Sequence, residues 1–456
     1  MKTDRITKRL LALLLAAVCL FALCACGNTA VEENAADREE TAAEPEHDAE
    51  EIRRAVKPEE PEEVYPGPDV ELTEYDGVVE HLFFHPVIAY PEMAFRGDYM
   101  EQGLDDWMLT VSEYDAILDR LYENGYILVD IGDVWGLETD AEETGPEDTE
   151  NAEPDTGKTD GRDKDGHHGK HGSNDGRRRQ NWEEGSSGGR KHVVRKKLML
   201  PKGKKPLIIS YDDVNYYEYM REYGFTYKLI VKDGKVWSWG LDPQGKEVVS
   251  RDLDAVTILD KFVEEHPDFS MYGVKGCIAL TGYEGILGYR TQTSTDGLTA
   301  EQEKQRQEEI KAVGPVIDAL KENGWYFGSH TWGHIDLSGY GVDGVASDTQ
   351  RWKDEVASLV GDTPYLFYPH GARPDGDDFG QTGSVFEYLY GQGYRVFFSV
   401  GIESFSHIKE DIPAVIADRM HPDGTTLRWN RDRYMRFYDA KDVFDYDHRP
   451  DLGRDW

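Results

Sequence analysis

Apolar residues in this chain gather in short dense runs, and stripes with helical spacing lie between them. The runs at 79–89, 126–131, 207–210, 277–280, 325–328, 365–368, 396–400 and 414–416 read as strands. Residues 112–123 read as an amphipathic helix, and 252–266 places Val256, Leu259, Phe262 and Val263 on one helical face. The stretch 299–323 is helical and stops at Asn323-Gly324, and further helices fall near 347–359 and 384–391. Strand and helix alternating in this way predict an α/β fold with a parallel sheet, either open or closed into a barrel. Residues 227–239, turning at Lys232-Asp233-Gly234, read as a hairpin decorating that sheet.

Two stretches lack this patterning. From Asn28 to about Asp69 the chain is rich in Glu, Ala and Pro, too poor in apolar groups to offset its ordering entropy, so residues 26–74 are expected to form a disordered acidic tether. A second stretch, about 138–197, starts acidic and turns basic and Gly/Ser-rich, with His167, His168 and His171 inside it. It reads as a low-complexity insertion in a domain spanning 75–456, because patterned segments resume on both sides. With nothing to fix their geometry, its histidines read as incidental. The whole chain has 456 residues and a formal net charge of -38. Such a balance repels phosphate backbones, so nucleic acid is excluded as a partner by long-range attraction.

The first residues are an address. Lys2, Arg5, Lys8 and Arg9 precede an apolar run from Leu10 to Ala25, shorter than the roughly 20 residues a spanning helix needs. The run ends in Leu23-Cys24-Ala25-Cys26, which resembles a bacterial lipobox. The resemblance implies a signal peptide over 1–25, lipid on Cys26, and a protein anchored on the extracytoplasmic face of the cell membrane. Only Cys277 then remains in the folded part, so no internal disulfide is available. Its apolar neighbours mark it as a small core residue.

Three motifs each follow a strand. Asp212 and Asp213 end the run from Leu207, His330 and His334 follow Gly328-Ser329, and Phe367-Tyr368-Pro369-His370-Gly371 runs from strand into turn. In barrels of parallel strands, chemistry gathers at the strands' carboxyl ends. If the chain turns helical after the strand, His330 and His334 share one face. One carboxylate with two imidazoles then supplies three ligands and leaves a divalent ion, zinc being the expected one, an open position for water. The other carboxylate is free to act as a base.

Asp-Asp after a strand, then His-Thr-x-x-His, then a Pro/Gly turn resembles the polysaccharide deacetylase family (carbohydrate esterase family 4). So do Leu121–Tyr126, Val129–Ile131, Asp212–Tyr217, His266–Phe269 and Thr281–Gly285, which look like its membrane-anchored bacterial members. The resemblance implies a distorted (β/α) barrel with fewer than eight strands. It implies Asp212 as general base, Asp213, His330 and His334 as metal ligands, and N-acetylated polysaccharide as substrate, deacetylated at the cell surface. A backbone N–H of the third motif, best placed at His370, would face the oxyanion.

Two positions depart from the family pattern. Its third motif usually starts with an Arg that orients the base, where this chain has Phe367. Its later Leu-x-His, whose imidazole protonates the leaving amine, has no clear counterpart, and His421 and His370 are both candidates. These departures keep a second reading open, a carbohydrate-binding lipoprotein of the same fold without turnover. A solute-binding lipoprotein serving a transporter shares the lipobox but does not require the Asp and His motifs.

Overall fold

The computed structural model of the chain describes residues 65–139, 191–294, 296–374, 383–409 and 412–456. The expected signal peptide with Cys26, the expected tether up to residue 64 and the middle of the expected insertion, with His167, His168 and His171, lie outside the described residues.

Seven parallel strands form a ring: β1 (Glu80–Phe84), β2 (Lys205–Asp212), β3 (Cys277–Leu280), β4 (Tyr326–Ser329), β5 (Tyr365–Phe367), β6 (Val396–Val400) and β7 (Val415–Arg419). Each pairs in parallel with the next. The ring closes at Met420, just past β7, whose carbonyl accepts from Phe83 N–H and whose N–H donates to the His81 carbonyl, both at 3.0 Å. The ring is therefore a barrel of seven strands, fewer than eight as expected, and Tyr126–Leu128 beside β2 and the antiparallel Phe405–Ile408 beside β7 extend the same sheet.

Alternation along the strands decides what fills it. Ile208, Cys277, Ala279, Tyr365, Phe367, Val396, Phe398, Val415 and Ala417 belong to one buried cluster. Leu207, Ile209, Tyr211, Ile278 and Leu280 belong to another, together with residues of helices α1 (Val111–Glu123), α2 (Ala255–Glu265) and α3 (Ala300–Glu322). Strands buried on both faces read as continuous apolar runs, which is why the sequence shows them so clearly. The interior is packed: a Cβ on Gly328 of β4 would lie 2.3 Å from the Phe367 ring. Cys277 is a buried free thiol in that packing.

The helix ends follow local chemistry. Thr110 with Glu113, and Thr299 with Gln302, form capping boxes on α1 and α3, and Asp254 caps α2 through the Val256 N–H. After α3 the chain turns at Gly324, φ +90°, in the left-handed region that glycine enters without steric cost.

Some boundaries differ from the sequence reading. β1 ends at Phe84 because His85-Pro86 follows, and proline has no N–H to continue a ladder. The expected strand at 126–131 is confined to Tyr126–Leu128, since Asp130 caps a helical turn at Ile131–Val134. Leu72–Tyr75 pairs antiparallel with Leu198–Pro201, and Trp135–Thr139 with Lys191–Arg195. The end of the expected tether and both ends of the expected insertion are thus strands, short and polar enough to hide in their surroundings. The hairpin is present as Lys228–Lys232 and Lys235–Leu241, with Asp233 at φ +52° and Gly234 at φ +73°, and Glu247–Ser250 adds a third strand.

Candidate active site

All three motifs reach the carboxyl end of the barrel. Asp212 is the last residue of β2, His330 follows β4, and Pro369–Gly371 follows β5. At β2 the backbone turns at once: Asp213 has φ +62°, and its N–H donates to the Ala279 carbonyl at 3.2 Å. Asp tolerates this left-handed conformation better than most residues, and it sends the two adjacent carboxylates in different directions.

The His330–His334 segment is not helical, contrary to the expectation from spacing. Thr331 and His334 have φ of +58° and +51°. Asp348, from helix α4 (Val342–Trp352), accepts from the Trp332 and Gly333 N–H groups at 2.7 Å each, and Thr331 Oγ1 accepts from Ile335 N–H at 3.1 Å. These bonds replace a helical ladder with a tight loop, which still brings the two imidazoles to 4.9 Å between centroids.

Asp213, His330 and His334 each offer a donor atom, all within 4.8 Å of one another. Asp213 Oδ2 lies 3.7 Å from His334 Nε2. His330 Nδ1 donates to the Phe367 carbonyl at 2.9 Å, which places its hydrogen on Nδ1 and leaves the Nε2 lone pair free to ligate a metal at the site. Burial pushes His334 down to about 4 against the pull of Asp213, so its imidazole is neutral near pH 7, as ligation requires. Burial pushes the Asp213 carboxyl up, but His334, His330 and His85 outweigh it and hold it below the usual range. One carboxylate and two imidazoles are a donor set that fits a divalent metal ion.

Asp212 is only 2% exposed, with Arg419 gripping both its oxygens, Nη1 to Oδ1 at 2.7 Å and Nη2 to Oδ2 at 2.8 Å. Burial raises its pKa, yet Arg419 and His330 pull it well below the usual carboxylate range. Arg419 itself has no exposure, donates to Ser210 Oγ at 3.0 Å, and lies over the Phe83 ring at 4.1 Å and the Phe367 ring at 4.7 Å. Sequence reasoning missed this residue. An arginine was sought at position 367; the side chain there is instead the aromatic face on which the guanidinium from β7 rests. The signal available was an arginine in a barrel strand, two residues before His421.

His421 and His370 stand on different walls. His421 is 8% exposed, its Nδ1 is 3.1 Å from Asp423 Oδ2, and its ring stacks on Phe83 at 4.4 Å. His370 is exposed, at φ +58°, with its ring 4.4 Å from that of His334. A second missed residue, His85, lies between His421 and the metal ligands. Its ring is 4.6 Å from His421, its Nε2 3.9 Å from Asp213 Oδ2, and its buried Nδ1 has no hydrogen-bond partner among the described residues. Its only sequence mark was a histidine before a proline at the end of β1.

Of the aromatics that could face a sugar, Tyr216, Tyr217 and Trp325 are buried, whereas Trp237, Trp239, Tyr283 and Trp332 are partly exposed.

Residues 299–377 match the family model of polysaccharide deacetylases. The matched span contains His330, His334 and the Pro369–Gly371 turn and leaves out the Asp212-Asp213 pair. Curated protein sequences give no match. Among solved structures, a Streptococcus pyogenes deacetylase in complex with acetate is similar at 12% identity and TM-score 0.37, over 78% of this chain and 95% of that one. A polysaccharide deacetylase from Bacillus cereus is similar at 12% identity and TM-score 0.36, over 82% of this chain and 70% of that one.

Proposed function

The chain carries a polysaccharide deacetylase domain segment at 299–377, and from that premise we propose that it hydrolyses N-acetyl groups of an amino-sugar polysaccharide with a divalent metal ion, zinc by expectation. The observation that carries the reading is the pairing of two functions at one rim. Three ligand atoms converge from Asp213, His330 and His334, and a second carboxylate, Asp212, stands 3.8 Å from His330 Nε2 without joining them.

Asp213, His330 and His334 would hold the ion. When bound, it would acidify a water molecule and polarise the acetamide carbonyl. Asp212 takes the proton of the attacking water. A carboxylate has about four lone-pair sites, and Arg419 occupies one on each oxygen, so Asp212 stays ionised and oriented with acceptors to spare. The water oxygen bonds to the acetyl carbon, and the backbone N–H of His370 is the proposed partner of the developing oxyanion. The carbon–nitrogen bond then breaks, and the sugar nitrogen takes a proton as acetate leaves.

His421 is the proposed donor of that proton. Asp423 Oδ2 stands 3.1 Å from its Nδ1 and holds the ring in orientation, and His370 shows no such carboxylate bond among the described residues. Arg419 and the His421–Asp423 pair supply both elements whose absence favoured a binding protein without turnover, and so support an enzyme. Attachment to the outer face of the membrane through Cys26 remains part of the proposal, supported by residues 2–26 alone. The test is acetate release from N-acetylated glycans by the metal-loaded protein, with free amines appearing on the sugar in equal amount. Metal-loaded protein that binds such glycans and releases no acetate contradicts the reading.

A further inference from the structure

The rim between β2 and β3 carries three tyrosine rings in near-parallel array. Tyr217 is buried, and its hydroxyl donates to Asp213 Oδ1 at 2.6 Å and lies 2.7 Å from Thr281 Oγ1. Tyr283 stacks on Tyr217 at 5.0 Å and 16°, and Tyr219 lies parallel to it at 6.2 Å and 16°. The rings differ in exposure: Tyr217 is 4% exposed and Tyr219 is 39%. Packing therefore accounts for Tyr217, and leaves an aromatic surface open at Tyr219 that core formation does not use.

Asp213 holds the Tyr217 hydroxyl, and the Tyr219 ring lies within 16° of the Tyr217 plane. A ring already held in place loses little side-chain entropy when a ligand lands on it. Pyranose rings present flat faces of C–H groups, which pack on aromatic faces while their hydroxyls stay in water. The surrounding charge narrows the ligand. Glu284 Oε2 accepts from the Glu218 N–H at 2.8 Å, and Arg290 is engaged by Glu218 at 3.2 Å. Glu218 also pairs with Arg221 at 2.8 Å, so two arginines offset the two glutamates and this rim carries little net charge where it meets solvent, which suits neutral sugars.

We propose that Tyr219 is a stacking platform for a sugar unit next to the one being deacetylated, in a neutral hexosamine polymer. The identity of the polymer rests on the deacetylase reading; the platform does not. The experiment compares kcat/KM on N-acetylglucosamine oligomers of one to five units for the unaltered chain, Tyr219→Ala and Tyr219→Trp. Calorimetric binding of the pentamer is measured in parallel on Asp212→Asn and Asp212→Asn/Tyr219→Ala. In Tyr219→Ala the ratio of kcat/KM for long over single-sugar substrates should fall about tenfold, Tyr219→Trp should restore it, and pentamer binding should weaken by about the same factor. An unchanged ratio together with unchanged affinity overturns the platform. Binding that depends on Tyr219 while no oligomer yields acetate upholds the platform and sinks the deacetylase reading.

Discussion

Replacing Arg419 with methionine isolates the interaction that makes Asp212 usable as a base. Arg419 and Asp212 are buried, and two charge-assisted bonds at 2.7 and 2.8 Å join them. Such bonds contribute about 1.5–3 kcal/mol each. The contacts with Phe83 and Phe367 add about 0.5–2 kcal/mol. Methionine keeps the apolar packing but leaves the carboxylate buried without its cation, and breaking such a pair costs about 3–5 kcal/mol. The loss depends on pH in a defined direction. In the native chain the Asp212 pKa is depressed, so its contribution is present above the unfolded value of about 3.9 and fades as pH falls. In Arg419→Met, burial acts with much less opposition and raises that pKa, so stability is lost as pH rises. The gap between the two proteins should therefore widen from acid to neutral pH in urea denaturation. Acetate release at pH 7 should fall by about 10²–10⁴-fold with metal content retained. Arg419→Met in an Asp212→Asn background should cost much less, because no charge is left stranded. If the cost of Arg419→Met is the same in both backgrounds to within about 0.5 kcal/mol, the two residues do not act as a pair and the reasoning fails.

His421→Gln should lower kcat about 10²-fold or more, whereas His370→Gln should change it only a few-fold; equal losses would remove the preference for His421 as acid. Asp260 is fully buried, bonded to Trp325 Nε1, and pushed up to about 6 by burial. A folded pKa above the unfolded one gives stability that is complete below about pH 3.9 and lost as pH rises through 6. Asp260→Asn should thus stabilise the chain by about 3 kcal/mol at pH 8 and by nothing at pH 3.5, read from urea midpoints. Cys26→Ser should abolish lipid labelling and release the protein from the membrane fraction; a variant that remains lipidated or bound rules out that anchor.

The fold was legible because its strands are buried on both faces and stand out as apolar runs between striped helices. Strands that owe their order to a partner were not legible: Lys191–Arg195 is largely basic and pairs with Trp135–Thr139. The candidate ligands were visible as residue types following strands, but the route that joins them was not. Spacing suggested a helix at His330, and the structure builds a loop there through Asp348, whose role depends on a helix elsewhere in the chain. Arg419 escaped notice for a related reason. A barrel brings β7 beside β1, so a guanidinium can reach a carboxylate 207 positions earlier, and motif order alone looks for it in the wrong strand. His85 was hidden by its neighbours, since Phe83-Phe84-His85-Pro86 reads as the end of a strand and nothing more.

Acetate release and bound metal, measured together on Asp212→Asn and Asp213→Asn, test the central assignment most directly. Asp212→Asn should keep its metal and lose most turnover, because an amide cannot accept the proton from water. Asp213→Asn should lose metal first, with activity partly recovered in excess zinc. Metal loss in Asp212→Asn with full occupancy in Asp213→Asn would reverse the two roles. Unchanged metal and unchanged turnover in both variants would contradict a metal-dependent deacetylase at this rim.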